Sequence, residues 1–330
     1  MLAYATASAG MHPSHTLALK LRVIADAGFN SVEIAFPDLE AFAQSEYPDY
    51  GSADRGGKGD VDTLLKAANR VRDLCRSMRL SVLTLMPFSQ FEGYPDPSKH
   101  AESLSRARTW LQVAQTLGAE MLQVGSSNDP ESSPDRDVIV KDFRDLAEEA
   151  AKVNVKMCVE AYEMWAWGVH NNTWQDVLAI CAAVDRPNFG VCFDTFQICA
   201  RAYADPTAPN RQISSMAPLQ LASSLKDLVA ALEADGGRMR DKVFYFQISD
   251  GSLNVSPQDL VKSAKEQGLP PLYAWSNSWR PIPYQDATSY GGYLPVVDVV
   301  EAVLRSGWRG PMSYEVRHAL PSQVSRRILC

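Results

Sequence analysis

The chain has 330 residues, 46% of them hydrophobic and 22% charged, which supplies one large core and fits an enzyme-sized globular protein. Its formal net charge of -7 and the lack of a long basic stripe argue against nucleic acid, because phosphate backbones are held by clustered Lys and Arg. No run has the unbroken apolar length of a membrane helix, and the opening MLAYATASAGMHPSH lacks the basic lead and apolar core of a signal peptide, so a cytoplasmic location and no membrane partner are expected.

In chain order, short apolar runs alternate with longer amphipathic ones. MLAYATAS is predicted as a strand, HTLALKLRVIADAG as a helix closed by Gly28, and SVEIAF as the next strand. Helical VDTLLKAANRVRDLCRSM then precedes strand LSVLTLM, helical SLSRARTWLQVAQTLG precedes EMLQVG, and helical RDVIVKDFRDLAEEAAKV precedes VKMCVEA. TWQDVLAICAAV leads to FGVCFD, SSLKDLVAALEADG to KVFYFQIS, and VVDVVEAVLRSG to MSYEV. Strict alternation of about eight such units implies a parallel sheet with right-handed crossovers, and eight units close into a (β/α)8 barrel, a TIM barrel spanning 1–330 as one domain. A doubly wound open sheet is the other candidate, and it is weakened because no GxGxxG follows an early strand. The six cysteines form no CxxC pair and mostly sit in apolar runs, as reduced structural thiols do.

Three stretches interrupt the rhythm: FPDLEAFAQSEYPDYGSADRGGKGD after the second strand, ARAYADPTAPNRQISSMAPLQ after the sixth, and GSLNVSPQDLVKSAKEQGLPPLYAWSNSWRPIPYQDATSYGG after the seventh. All follow strand C-termini, the face on which barrels build active sites, and they are expected to be long loops shaped over a pocket.

The strand ends themselves carry polar groups. Phe189 to Phe193 are apolar on both faces, as in a strand covered on both sides, and the run ends in Asp194. The fifth strand ends in Glu160, the seventh carries Gln247, and the eighth carries Glu315. Neighbouring strands lie about 5 Å apart, so these four oxygen donors can converge over the barrel mouth. Three carboxylates gathered there repel one another, and a divalent cation resolves the conflict. A hard set of three carboxylates and an amide oxygen suits Mn²⁺ or Mg²⁺. Taken singly, each acid is better explained as a helix cap or salt-bridge partner; the set of four is what points to a metal.

These residues carry a resemblance that covers nearly the whole chain. AGFNSVEIAFPDL, VEAYEMWAWGVHNNTW, NFGVCFDTFQICARAYADP, FQISDG, WSNSWRPIP and GGYLPVVDVVEAVLRSGWRGPMSYEVRH resemble the xylose-isomerase-like barrels, a superfamily of sugar isomerases, epimerases and related lyases. Within it they are most similar to the 3-dehydroshikimate dehydratases. The resemblance implies a metal-dependent lyase acting on a small molecule, with one divalent metal held by Glu160, Asp194, Gln247 and Glu315. Sugar epimerases more often carry His at the third position, so Gln247 favours the dehydratase branch. An isomerase or epimerase using the same metal site is the alternative. An apurinic endonuclease, which shares the barrel, needs more suitably placed histidines than the five present; a barrel that has lost catalysis would not be expected to keep all four ligands.

The chain also departs from the branch. MPFSQFEG stands where QPFRDFEG is usual, so Ser89 replaces an arginine; Val169 in WGVH replaces another; Gln197 stands where a His usually follows the Asp ligand. Each replaced residue is expected to face the substrate, so the metal chemistry is kept and the pocket altered. Arg280 and Arg201 are the remaining candidates for gripping a substrate carboxylate.

A metal-bound carbonyl acidifies the neighbouring C–H, and loss of a β-hydroxyl then gives dehydration, whereas return of the proton elsewhere gives isomerisation. Glu160 and Glu315 are candidates for moving that proton, as in the epimerase relatives. His170, on the loop after the fifth strand, is a further candidate acid or base, or a loop residue that only bonds its neighbours. Tyr162 and Glu92 are candidates for orienting substrate or ligands. Trp167, with Trp165, Trp275 and Trp279, is a candidate pocket wall. A homo-oligomer and a monomer are both compatible with the sequence.

Overall fold

Short polar side chains start most of the helices, and left-handed residues stop several of them. A computed structural model describes residues 1–51, 59–127, 129–160, 170–284 and 291–318, with the side chains of 158–160 and 318 left aside. Thr16, Asp60, Asp96, Asp135, Thr173, Asp194 and Ser256 each accept a backbone N–H of the first turn that follows. Gly118 at φ 72° and Gly268 at φ 67° end two helices in the left-handed conformation that glycine adopts without strain. With starts and stops fixed this way, each helix hands the chain to a buried strand.

Eight parallel strands close into a barrel in the order β1 (Leu2–Ala5), β2 (Ser31–Ala35), β3 (Ser81–Phe88), β4 (Met121–Gly125), β5 (Lys156–Glu160), β6 (Phe189–Asp194), β7 (Val243–Ile248) and β9 (Met312–Tyr314), with β9 returning to β1. The closed ring is the expected (β/α)8 barrel and excludes the open doubly wound sheet. The helices packed around it are α1 (Leu17–Asp26), α2 (Phe36–Glu46), α3 (Val61–Ser77), α4 (Pro97–Leu117), α5 (Arg136–Lys152), α6 (Trp174–Val184), α7 (Thr195–Ala202), α8 (Ala217–Glu233) and, last in sequence, α11 (Val296–Arg305). The main core lies between strands and helices, where residues such as Val32, Ile34, Leu85, Phe143, Phe189 and Phe246 are buried. A second cluster of Ala3, Leu83, Met121, Cys192 and Tyr245 fills the inside of the barrel.

Alternation along each strand then determines what lies above that inner cluster. Cys192 and Tyr245 sit in it, so two residues on Asp194 and Gln247 lie on the same inner face, and these two are paired neighbours in the sheet. Gln247 in turn pairs with Ser313, which places Glu315 next in the ring, while Glu160 ends β5 opposite Gly125. The backbone therefore brings the four predicted strand ends to one mouth.

The three stretches expected as loops are corrected in part. Residues 36–46 form α2, which begins directly on β2 with Pro37 in its first turn, where a missing N–H costs nothing. Thr195 to Ala202 form α7 immediately after β6, capped by Asp194 itself. The long stretch after β7 contains α9 (Pro257–Gln267), α10 (Pro271–Ser278) and strand β8 (Trp279–Arg280), both helices again with Pro in their first turn. Proline punctuation that reads as loop chemistry in sequence here marks helix starts.

Strand β8 pairs antiparallel with β10 (Arg317–His318), so Arg280 lies opposite Arg317 just beyond Glu315. This ribbon is held along the exit of β7 by Asp250 N–H to the Pro281 carbonyl at 3.1 Å and Ser252 N–H to the Trp279 carbonyl at 2.9 Å. Asp250 Oδ1 adds three backbone bonds, from Gly251 (2.7 Å), Leu294 (2.8 Å) and Tyr293 (3.0 Å), which hold two loops together. Among the described residues no helix is long and apolar enough to cross a membrane.

Candidate active site

Asp194 is fully buried and both its oxygens are used. Oδ1 accepts the Phe196 N–H at 2.8 Å, capping α7, and Oδ2 takes a guanidinium N–H of Arg280. Both ordinary roles of an acid at a strand end, cap and salt-bridge partner, are thus real here. Arg280 is itself 0% exposed and sits between two carboxylates, its Nη1 lying 3.0 Å from Glu315 Oε2. Ser249 Oγ accepts from its Nε at 3.0 Å and from Nη2 at 2.8 Å, and the Phe196 ring lies under its Cζ at 4.7 Å. Thr195 and Ser249 lock this corner by two reciprocal bonds of 2.6 and 2.9 Å. Glu315 Oε1 receives a second guanidinium, from Arg317 at 3.2 Å.

Charge balance at the mouth is therefore partly supplied by the chain. Burial pushes the Asp194 carboxyl up to about 6, with Arg280 opposing that shift and Glu315 adding to it. Repulsion among the acids does not by itself demand a metal, because Arg280 and Arg317 already face Asp194 and Glu315.

The stronger sign of a missing partner is on Gln247. Its Nε2 donates to both oxygens of Glu33, at 3.2 and 3.1 Å, so its Oε1 faces away from that carboxylate; Oε1 is buried and has no hydrogen-bond partner. A buried acceptor left bare costs about 1–3 kcal/mol, and a cation among the strand ends would satisfy it. The residues present fit a hard divalent ion, with oxygen donors from Asp194, Gln247 and Glu315 on adjoining strands and Glu160 ending the next strand round. Among the described residues no three His, Cys, Asp or Glu side chains are grouped about one metal position. That is consistent with this set, since its third donor is an amide and the Glu160 side chain lies outside the description.

Glu33 was not among the residues singled out from the sequence. It lies in the middle of β2, 0% exposed, and accepts from the Tyr245 hydroxyl at 3.0 Å as well as from Gln247. Tyr245 in turn accepts from Gln123 Nε2 at 2.7 Å. Burial pushes Glu33 up to about 7, with the Ser313 hydroxyl, Gln247 and Tyr245 opposing the shift and the Glu315 charge adding to it. The available signal was an acid inside SVEIAF, a strand whose five residues Ser31–Ala35 are all buried.

The remaining candidates separate clearly. His170 precedes α6, and its Nε2 lies 2.7 Å from the Ser132 carbonyl, so the ring is tied to the loop after β4. Glu92 is buried, accepts the Ser127 N–H at 2.7 Å on Oε1 and leaves Oε2 without a partner; burial, with help from Asp142, pushes it up to about 7. Gln197 is 0% exposed in the first turn of α7, and neither of its amide atoms has a hydrogen-bond partner. Ser89 gives its carbonyl to Arg106, whose guanidinium lies over Phe88. Arg201 is exposed in the last turn of α7. Trp275 is wholly buried against Phe196 and Tyr293 and donates Nε1–H to the Ser252 carbonyl at 3.0 Å, which is packing rather than a pocket wall. Tyr162, Trp165, Trp167 and Val169 lie outside the described residues.

Comparison with known proteins places this geometry. Residues 21–327 match the family model described as xylose isomerase-like TIM barrel. A 3-dehydroshikimate dehydratase from Neurospora crassa is 29% identical over 305 residues, covering 92% of this chain and 81% of that protein. One from Pseudomonas putida is 27% identical over 303 residues, 92% of this chain but 36% of that protein, so the chain spans about a third of its length. Among solved structures, a xylose isomerase-like TIM barrel/4-hydroxyphenylpyruvate dioxygenase fusion protein superposes with a TM-score of 0.66 at 25% identity, over 96% of this chain and 39% of that one.

Two outcomes follow from the buried charges. Arg280→Met leaves Asp194 and Glu315 facing each other without it, and thermal or denaturant unfolding is expected to show a loss of about 3–5 kcal/mol; an unchanged midpoint would contradict the role given to Arg280. For Glu92, the folded chain keeps its proton to about pH 7, whereas an unfolded chain releases it near the ordinary value of 4.5. The native state thus binds more protons in that window, and this group makes stability fall as pH rises through it. Denaturant titrations at pH 5 and 8 should show wild type losing roughly 1–3 kcal/mol more than Glu92→Gln over that interval; parallel pH profiles for the two proteins would exclude a buried, neutral Glu92.

Proposed function

The chain belongs to the xylose isomerase-like TIM barrel family, and on that premise we propose that it is a divalent-metal-dependent lyase, a dehydratase acting on a small polyhydroxylated keto substrate as the 3-dehydroshikimate dehydratases do. The observation that carries the reading is the bare, buried Oε1 of Gln247 beside Asp194 at the barrel mouth. Relatives at 27% and 29% identity bearing the dehydratase name support the reaction class.

Glu160, Asp194, Gln247 and Glu315 would hold the ion, and their all-oxygen chemistry favours Mn²⁺ or Mg²⁺. Such an ion, when bound, supplies Lewis acidity to a substrate oxygen and so acidifies the adjacent C–H. The chain's own groups then divide the work. Arg280 and Arg317 engage Glu315 through both of its oxygens and keep that carboxylate fixed in place. Glu160 and His170 are the groups left to move protons, with Glu315 as the third candidate. The Ser132 carbonyl can only accept, so a neutral His170 carries its proton on Nε2 and has Nδ1 as its basic nitrogen. Gln197 offers its amide NH₂ and its amide oxygen, both unspent, to a substrate hydroxyl or carbonyl. Glu92 fixes the loop after β3 to the loop after β4, where it can orient these groups.

One observation favours a second reading. Arg280 is engaged by protein carboxylates and Arg201 points to solvent at the end of α7, so neither arginine considered for a substrate carboxylate is offered to one. A sugar or keto-compound isomerase or epimerase using the same strand ends needs no such grip.

The test is turnover of 3-dehydroshikimate, followed by the rise of aromatic absorbance with added Mn²⁺ or Mg²⁺ and after chelation. Turnover that chelation abolishes and that Asp194→Asn lowers at least about a hundredfold, in a protein with wild-type circular dichroism, is the expected result. Undiminished turnover in the chelated protein would overturn the assignment, and metal-loaded protein inert on this substrate but active on a ketose would establish the second reading.

A further inference from the structure

Beneath the proposed metal ligands lies a polar layer that the reaction itself does not use. Glu33, Tyr245 and Gln123 form a buried chain across the inside of the barrel, from β2 to β7 to β4. All three are 0% exposed, and among the described residues no cap, turn or ion pair explains why an acid should be placed there. A carboxylate inside a barrel is costly unless it does something for its neighbours.

An amide has two nearly isosteric ends, and only the oxygen can serve a cation. Nothing in the shape of a glutamine decides which end faces the barrel mouth. Glu33 decides it: both of its oxygens accept from Gln247 Nε2, at 3.2 and 3.1 Å, and this pairing leaves Oε1 directed elsewhere and without a partner. Tyr245, two residues before Gln247 on the same inner face, donates its hydroxyl hydrogen to Glu33 Oε2 at 3.0 Å and so holds the carboxylate in place. Gln123 completes the order by donating to the Tyr245 oxygen, which commits the tyrosine hydrogen to Glu33.

We propose that Glu33 is a positioning residue, which, braced by Tyr245, orients the Gln247 amide so that its oxygen is presented to a divalent cation. The inference rests on Gln247 being a ligand. In Glu33→Gln the residue beneath is itself an amide, able to donate as well as accept, and Gln247 loses its preference for the oxygen-out orientation. Groups that orient metal ligands from behind are worth about 10–100-fold in metal affinity.

The experiment is Mn²⁺ titration of metal-free protein, read by the electron paramagnetic resonance signal of free Mn²⁺, together with the melting temperature of the metal-free forms. Wild type is expected to bind one Mn²⁺, and Glu33→Gln to bind it about 10–100-fold more weakly while melting no lower than wild type in the metal-free state. A purely structural Glu33 would give the reverse, a lowered melting temperature with unchanged Mn²⁺ affinity, and that would overturn the proposal. Should Glu33→Gln fail to fold, Tyr245→Phe keeps the ring and removes only the bracing hydroxyl; weaker Mn²⁺ binding by this variant supports the proposal and equal binding overturns it. Wild type that binds no Mn²⁺ would remove the metal reading and this inference together, whereas wild type and variants binding equally would remove the inference alone.

Discussion

Charges gathered at the mouth of a closed barrel must be neutralised by something that other segments bring to them, and here that something is the guanidinium of Arg280. It reaches Asp194 on β6 and Glu315 just past β9, two groups whose strands are separated in the ring by β7. Much of the structure outside the barrel serves to deliver it. The β8–β10 ribbon sets its height, Asp250 and Ser252 tie that ribbon along the β7 exit, Ser249 takes its Nε, and Phe196 supports its face. A salt bridge so deeply buried adds little net stability, because desolvation offsets the Coulomb gain. Its value lies in fixing two carboxylates at set positions before any ligand arrives.

Two layers of polar groups are therefore stacked in the barrel. The upper one, at the strand ends, is partly charge-balanced by arginines and leaves the buried Gln247 Oε1 without a hydrogen-bond partner. The lower one, Glu33 with Tyr245 and Gln123, is wholly buried and touches the upper layer through the Gln247 amide. The division explains how an acid can be buried at β2 without being a ligand.

The barrel was legible in the sequence because a buried parallel strand leaves a local mark, a short run apolar on both faces set between amphipathic helices. The strand ends were legible for the same reason: Asp194 and Gln247 stand out as the polar residues at the ends of FGVCFD and FYFQ. Glu33 carried an equally local mark in SVEIAF, but its partners Tyr245 and Gln247 are more than two hundred residues away, so its role appears only once β2 and β7 face each other across the barrel. Arg280 is a similar case. Its residue type pointed outward to a substrate carboxylate, while the fold turns it inward onto two carboxylates of the chain. The prolines of the stretch after β7 were ambiguous locally, since the same residue that opens a turn also opens a helix at its first position.

Everything proposed for the barrel mouth depends on the strand ends holding a divalent cation through an amide oxygen as well as carboxylates. Anomalous diffraction at the manganese edge from crystals grown with Mn²⁺ tests it most directly. A single peak within bonding distance of Gln247 Oε1 and of the carboxylates of Glu160, Asp194 and Glu315 is the result predicted. Mn²⁺ located elsewhere, or a mouth with no bound ion and Gln247 Oε1 satisfied by another group of the chain, would contradict it.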